Sequence, residues 1–320
     1  MPMTFHDGER ALQARLGLAE RLEQTGSRMV RDFMPDQHRD FFAMLPFLIV
    51  GSLDTKGRPW ASILAGQPGF VQSPDPQTLT VAARPGFGDP LAENLSTGVP
   101  LGLLGIQPET RRRNRMNGRA MLLGSAGFAV EVDQSFGNCP KYIQARSPRF
   151  VAEPETMRQE KPVLAESALL SDRAQAMVEG TDTFFLASAS ANPAQGGNQG
   201  VDVSHRGGKP GFVRVTRENG RAVLTVPDFS GNMLFNSFGN LQVNPRAGLL
   251  FADFATGDLL YLTGTAEVIW DGPEVAAFAG AERLMRFTLE EGRLVPGALP
   301  LRWSRPVYAP QLAATGEWPV

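Results

Sequence analysis

Apolar and polar positions follow two different periods along this chain, and the change of period separates short helices from short strands. Between residues 7 and 29 the apolar positions recur at helical spacing, as at Leu12 and Leu22, which predicts a helix that ends at Gly26. A second short helix is predicted over residues 36–45.

From residue 47 onward the pattern becomes that of short strands joined by tight turns, with one helix inside each series. Asp54-Thr55-Lys56-Gly57 predicts a hairpin turn, because glycine accepts a positive φ. The first series has predicted strands at residues 47–53, 58–65, 69–72, 78–83, 99–106, 111–117 and 119–132, and a helix at 90–95. The second begins with a helix that Ser171 caps and that ends at Glu179. Its predicted strands are residues 183–189, 200–204, 211–216, 222–226, 247–253 and 258–270, and its inserted helix is 232–242.

The two series are copies of each other. A G-x-P-G-F-V motif occurs at residues 66–71 and again at 208–213. In both copies L-T-V, G-L-L and Gly-x-Ala motifs follow in the same order, and 16 positions separate the glycines of the last two motifs each time. We therefore predict a mainly β (α+β) protein in which one small closed or split β-barrel is built twice and packed against itself.

Length and composition agree with two barrels and a few appended segments. The 320 residues suit two domains of ordinary size. The expected boundaries are an N-terminal helix (1–35), a first repeat (36–146), a Pro- and Glu-rich linker (147–167), a second repeat (168–295) and a Pro-rich tail (296–320) that wraps the surface.

Charge and cysteine content limit the compartment and the partners. A net charge of -2 gives no polyelectrolyte attraction for nucleic acid or an anionic membrane. The single cysteine, Cys139, excludes an intramolecular disulfide and fits a reducing compartment. Residues 1–10 do not read as a secretory signal, and the apolar run 41–50 is too short to span a bilayer. We therefore expect a cytoplasmic protein.

Common catalytic motifs are missing from the sequence. The three histidines lie far apart, and no Cys, His or Asp pairing has the spacing of metal ligands, so no metal site is predicted. Residues 85–88 begin like a dinucleotide-binding loop but lack its third glycine, and neither G-x-S-x-G nor a P-loop occurs. The catalytic residues, if any, are left unknown.

The repeat allows each copy to serve as a control for the other. An offset of 142 positions pairs Ser62, Ile63, Leu64 and Gln67 of the first copy with Ser204, His205, Arg206 and Lys209 of the second. Three cation-capable side chains thus occur in one copy only, which predicts an anion site there, suited to a phosphate. Ser230 and Asn232, at the start of the predicted inserted helix, add donors to it. The alternative is a polar exposed turn.

Four segments carry a resemblance to a known family. They are residues 202–213, 224–232, 244–251 and the F-G-N-C-P-K-Y-I-Q-A-R run at 136–146. They resemble the FMN-binding split-barrel family related to pyridoxamine 5'-phosphate oxidase, in its bacterial tandem-repeat form. The resemblance extends over residues 41–270 and implies two tandem split β-barrels forming an intrachain pseudo-dimer with peripheral helices. It also implies FMN at the interface of the two barrels.

For this FMN the sequence offers two groups of candidate residues. Its phosphate would be bound by Ser204, His205, Arg206, Lys209, Ser230 and Asn232. A helix beginning after Pro140 would contribute Lys141, Tyr142 and Arg146, or would carry solvated charges between the domains. Relatives often have Arg or Lys where this chain has Met233.

The flavin ring has weaker candidates. The arginines that alternate through residues 111–117 could face its pyrimidine side, although a solvated basic face is the favoured interpretation. Trp60 and Trp303 could cover the ring or could simply pack in the core.

Three functional hypotheses follow. The leading one is an FMN-dependent oxidoreductase acting on an unknown small molecule, with electrons from a separate reductase or from NAD(P)H. The second is a non-catalytic flavin or haem carrier, for which His205 is the one histidine placed to ligate iron. The third is a scaffold without cofactor. We expect one flavin site per chain, built mainly from the second repeat, and leave a homodimer open.

Overall fold

The computed structural model describes residues 4–319, apart from the side chains of residues 122 and 123. Residues 1–3 and 320, which belong to the predicted N-terminal segment and tail, lie outside the described residues. Two antiparallel sheets dominate the fold. Short helices lie around them.

The first sheet is formed by residues 47–137 and contains seven strands. They are β1 (Phe47–Leu53), β2 (Pro59–Ala65), β3 (Val71–Asp75), β4 (Thr78–Val81), β5 (Pro100–Gln107), β6 (Arg112–Leu123) and β7 (Phe128–Gly137). Two short strands, β8 (Pro148–Phe150) and β9 (Leu164–Glu166), follow it. The second sheet contains β10 (Thr183–Ala189), β11 (Val201–Gly207), β12 (Arg214–Glu218), β13 (Arg221–Asp228), β14 (Arg246–Ala252), β15 (Leu259–Ile269) and β16 (Arg283–Val295), and β17 (Leu301–Trp303) pairs with β8.

Both sheets have the same order of seven strands, and β9 adds an eighth strand to the second sheet by pairing with β16. The first runs β2-β1-β5-β6-β7-β4-β3, and the second runs β11-β10-β14-β15-β16-β13-β12. The two sheets also share an irregularity. The strand register shifts at Asn117/Gly118 between β6 and β7, and at Thr263/Gly264 between β15 and β16. The prediction of two tandem split β-barrels is confirmed.

The helices agree less well with the predicted pattern. They are α1 (Asp7–Arg15), α2 (Ala19–Met29), α3 (Asp36–Ala43), α4 (Leu91–Asn94), α5 (Asp172–Glu179), α6 (Asn236–Val243) and α7 (Pro273–Ala276). The single helix predicted over residues 7–29 is two helices, which break at Gly17 with φ +68°. Gly26 does not end α2. It lies within the helix, which continues to Met29, and it faces the ring of Phe5. Ser171 caps α5 as predicted, accepting from the N–H of Ala174.

The barrels meet face to face through β1, β2 and β5 of the first and β10, β11 and β14 of the second. A shared apolar core contains Ile49 and Ile63 from the first barrel and Phe185 and Val203 from the second. The glycines of the two G-L-L motifs allow this contact. A Cβ on Gly102 would lie 2.6 Å from the backbone oxygen of Val201, and one on Gly248 would lie 2.3 Å from that of Pro59. Because these contacts are equivalent, the chain is a pseudo-dimer with two interface sites.

Candidate functional site

One of the two interface sites is a cleft of about 140 Å³ lined by both repeats. The first repeat contributes alternate residues of β6 and the segment after β7. The second contributes the end of β11, the end of β13 and the loop that leads into α6. Its walls therefore come from parts of the chain that are far apart in sequence.

Three arginines in the cleft are held by carboxylates. Nη1 of Arg115 lies 2.5 Å from Oδ1 of Asp202. Asp228 bridges the other two, since one of its oxygens pairs with Arg206 and the other lies 3.0 Å from Nε of Arg283. Burial raises the pKa of Asp228, although both arginines oppose the change. These guanidinium groups are thus fixed by partners inside the protein.

Two further cations in the cleft, Arg113 and Lys141, have no carboxylate partner among residues 4–319. Nε of Arg113 donates to the backbone oxygen of Cys139 at 2.8 Å, and Nζ of Lys141 lies 3.4 Å from that of Ser230. Burial and the neighbouring Arg115 lower the pKa of Arg113 to about 10, so it is charged at neutral pH. The cleft therefore has uncompensated positive charge that suits an anion.

Helix α6 begins at this cleft without a cap from its own side chains. Its N-cap residue, Phe235, makes no side-chain cap hydrogen bond. In the first turn, the hydroxyl of Ser237 lies 2.8 Å from Oγ of Ser204 and 3.2 Å from Oδ2 of Asp202. The N–H groups of a first turn lack partners within the helix and, with the helix dipole, favour an anion.

Three bulky residues with left-handed backbone line the same cleft. They are Tyr142 with φ 63°, Met233 with φ 59° and Phe235 with φ 62°. Such conformations cost about 1–3 kcal/mol each and concentrate at binding and catalytic sites. The Tyr142 ring packs on Phe229 with their centroids 5.1 Å apart, which gives the cleft an aromatic wall.

His205 lies at the base of the cleft and is uncharged at neutral pH. Burial, followed by Arg113 and Arg206, lowers its pKa well below the usual value. Nδ1 of His205 lies 3.3 Å from Nη1 of Arg113, and the ring packs edge-on against Phe185. His205, one of the three cation-capable side chains of the second copy, therefore adds no positive charge to the cleft at neutral pH.

Six of the nine predicted binding residues line the cleft: Ser204, His205, Arg206, Lys141, Tyr142 and Asn232. Ser230 contributes a backbone oxygen to Lys141. The remaining two lie elsewhere. Nζ of Lys209 donates to the backbone oxygen of Thr315 in the C-terminal tail at 2.8 Å. Arg146 pairs with Asp182 and stacks over Phe254.

Two local predictions at the cleft are wrong. No helix follows Pro140. Residues 138–147 form turns and an isolated bridge, and the left-handed backbone of Tyr142 is incompatible with an α-helix at that position. Asn232 does not begin the inserted helix, which starts four residues later. Its Oδ1 accepts from the N–H of Leu234 at 3.1 Å.

Neither tryptophan considered for the flavin ring lines the cleft. Trp60 is buried in the core shared by the barrels. Trp303 packs against Phe47 and Phe254 beside a separate cavity. Both therefore have the packing role that was the simpler interpretation.

Two arginines of β6 line the cleft, although a solvated basic face was the favoured interpretation of this segment. Arg113 and Arg115 point into the cleft, whereas Arg111 and Arg112 bind backbone oxygens elsewhere. The alternation along the strand was the available signal, but it gives no indication of which face meets the second barrel. Asn236 and Ser237 were missed because the start of the inserted helix was misplaced.

The equivalent position at the other interface carries different buried polar groups. Ser62, the counterpart of Ser204, donates to Oδ1 of Asp89 at 2.5 Å. Burial raises the pKa of Asp89 to about 7 and that of the adjacent Tyr261 well above its usual value. Tyr261 lies 146 positions after Arg115, so it is the counterpart of that arginine. This interface has a buried acid and a phenol where the cleft has cations.

The described residues contain neither a metal-ligand cluster nor a membrane-spanning helix. Within residues 4–319, no group of three or more His, Cys, Asp or Glu side chains could hold a metal ion. In the same part of the chain, no helix is long and apolar enough to cross a membrane.

Comparison with known proteins yields likeness of fold only. No protein-family model matches the chain, and no curated protein matches it. Among solved structures, HupZ of Group A Streptococcus is 11% identical with a TM-score of 0.29, over 38% of this chain and 92% of its own. A candidate pyridoxamine 5'-phosphate oxidase from Lactobacillus delbrueckii is 16% identical with a TM-score of 0.29, over 38% and 92%. HutZ, described as a haem storage protein of Vibrio cholerae, is 12% identical with a TM-score of 0.25, over 39% and 92%. Each of these matches covers about two fifths of this chain.

Proposed function

We propose that this chain binds FMN in the cleft between its two barrels and is an FMN-dependent oxidoreductase acting on a small molecule. The observation that carries the proposal is the pair of uncompensated cations, Arg113 and Lys141, on the first repeat. They line the same cleft as the uncapped first turn of α6 on the second repeat. A phosphate would accept hydrogen bonds from these cations and from the N–H groups of the first turn of α6.

The residues present fit the parts of FMN. Arg113, Lys141 and Arg206 supply charge-assisted hydrogen bonds for the phosphate, and Ser204 with the first turn of α6 supplies further donors. The aromatic wall of the cleft suits a flat ring. The cleft volume of about 140 Å³ is below the roughly 300 Å³ of small ligand pockets, so these residues would hold the phosphate part of FMN.

The chain's own residues would bind and orient the cofactor, and FMN when bound supplies the electron transfer. Asp228 pairs with both Arg206 and Arg283 and fixes their positions, so that neither guanidinium has to be ordered when the ligand arrives. The buried, uncharged His205 adds no charge at the base. Electrons would come from a separate reductase or from NAD(P)H, and the substrate would be a small molecule.

A flavin or haem carrier without turnover is the second candidate, and His205 is the observation that favours it. A neutral imidazole is the form that ligates iron, and HutZ is described as a haem storage protein. Two contacts count against iron ligation: Nδ1 of His205 contacts Arg113, and its ring packs on Phe185.

The absorption spectrum of the purified protein with added FMN tests the proposal. We expect the spectrum of bound oxidised flavin, and bleaching by NADH, NADPH or an added reductase. Arg113→Ala with Lys141→Ala should weaken FMN by about 100-fold or more, since each of the two charged hydrogen bonds contributes roughly 1.5–3 kcal/mol. Lys209→Ala is the matched control, because it removes a lysine that lies outside the cleft.

Each outcome has a clear meaning. A protein that gains no flavin spectrum contradicts the proposal, and a Soret band with added haem would replace it by the haem carrier. Flavin that binds but is never reoxidised by any small-molecule acceptor favours the flavin carrier. Equal losses in the double variant and in Lys209→Ala would move the phosphate away from this cleft.

A further inference from the structure

The N-terminal helix α1 packs directly on α6, the helix that begins at the cleft. Their backbones touch, since a Cβ on Gly8 would lie 2.1 Å from the backbone oxygen of Gly239. The buried Gln13 donates from Nε2 to the backbone oxygen of Leu234 at 3.0 Å. Helix α1 therefore braces both α6 and the loop that precedes it.

Within this contact, Glu9 is a buried carboxyl with two assigned partners. Its Oε2 accepts from the backbone N–H of its own helix cap, His6, at 2.9 Å. Its Oε1 accepts from Nδ2 of Asn236 at 2.5 Å. Asn236 is the first residue of α6 and lines the cleft. One side chain of α1 thus fixes a side chain of the binding wall.

The helix α6 depends on this help because its own sequence supplies no cap. The next residue, Ser237, contacts Ser204 across the cleft wall. An error in the orientation of the first turn therefore displaces two of the groups that face the ligand. Precise placement of such groups strongly affects binding and catalysis.

We propose that Glu9 is a positioning residue of the cleft, whose buried carboxyl holds Asn236 and with it the first turn of α6 in the geometry that binds the anionic ligand. This inference rests on the proposed function for the identity of that ligand. Glu9 itself lies behind the wall and acts through Asn236.

The charge state of Glu9 supports this role. Burial raises its pKa to about 8, so the carboxyl is uncharged at neutral pH and adds no negative charge behind an anion site. The charged or titratable groups around it are His6 and Asp7 on α1, Asp202 on β11 and Arg115 on β6. Of these, Asp202 raises and Arg115 lowers the pKa of Glu9.

The test compares FMN affinity in Glu9→Ala, Glu9→Gln and Leu12→Ala across pH 7 to 9. Leu12 is buried on the same helix and lies outside the cleft, so it controls for looser packing of α1. Glu9→Ala should weaken FMN roughly tenfold at pH 7, the effect of one hydrogen bond. Leu12→Ala should leave the affinity unchanged in the folded protein.

Glu9→Gln separates positioning from packing. Glutamine keeps an oxygen for Asn236 and stays neutral, so its affinity should be close to that of the unaltered protein at pH 7. The unaltered protein should lose affinity as the pH rises through about 8, whereas Glu9→Gln should not. In an Asn236→Ala background, Glu9→Ala should have no further effect on affinity.

A readout without ligand separates this inference from the proposed function. Hydrogen exchange of amides 236–239 should accelerate in Glu9→Ala more than in Leu12→Ala. If FMN never binds but this difference appears, the proposed function fails and the positioning role stands. If FMN binds and Glu9→Ala matches Leu12→Ala in affinity and in exchange, Glu9 is a packing residue and the inference is overturned.

Discussion

Replacing Asp89 by Asn should reduce the pH dependence of folding stability, because Asp89 is a carboxyl buried at the barrel interface. Its Oδ1 accepts from the Ser62 hydroxyl at 2.5 Å and from the N–H of Leu91 at 2.8 Å. Asparagine keeps an oxygen for both donors and carries no charge. The substitution therefore imitates the protonated acid with little change of shape.

The magnitude follows from the difference between the two pKa values. The pKa of Asp89 is about 7 in the folded chain, and 3.8 is its ordinary value. Between these values the unfolded chain releases a proton that the folded chain keeps, so the free energy of unfolding falls as pH rises. A difference of about 3 units corresponds to roughly 4 kcal/mol, fully lost above pH 7 and fully present below pH 4.

The assay is urea unfolding of both proteins from pH 4 to pH 8. The free energy of unfolding of Asp89→Asn, minus that of the unaltered protein, should grow by up to roughly 4 kcal/mol over this range. Glu160→Gln is the control, since Glu160 is exposed. A difference that stays constant with pH would refute the reasoning, because it would mean that Asp89 is ionised in the folded chain.

Two other predictions concern the barrel contact and the base of the cleft. Gly102→Ala should destabilise the chain by about 1–3 kcal/mol, because its Cβ would lie 2.6 Å from a backbone oxygen of the other barrel. Gly200→Ala, with nothing within 4 Å, should cost far less, and thermal unfolding of the two variants compares them. His205 should stay neutral under acidic conditions in which His ordinarily gains a proton, because burial lowers its pKa. The NMR resonances of its imidazole should be the same at pH 6 as at pH 7. A change between these two pH values would contradict the assigned burial.

The repeat made the barrels predictable, because both copies had to satisfy one pattern. The strand predicted over residues 183–189 has those bounds in the structure, and the offset of 142 positions that aligns β2 with β11 was read from the motifs. Two strand predictions were wrong: the strand predicted over residues 119–132 is the end of β6, a turn and the start of β7, and β16 was not predicted.

The cleft was only partly predictable, because its geometry depends on contacts between distant segments. Residues 138–147 have helical spacing of charges, yet they run between the barrels, where Gln144 bonds to the backbone of Gly208 and of Ala309. Tertiary hydrogen bonds of this kind override local propensity. Asp89 carries no sequence signal, since its burial depends on the opposite barrel.

Because the two barrels belong to one chain, their two interface sites can carry different residues. In a symmetric homodimer any residue that closes one interface site closes the other as well. Here Asp89 occupies one site while Arg113 and Lys141 remain at the other. The two interfaces of this chain therefore differ in charge although they share one fold. A mutation at one of them leaves the side chains of the other unchanged.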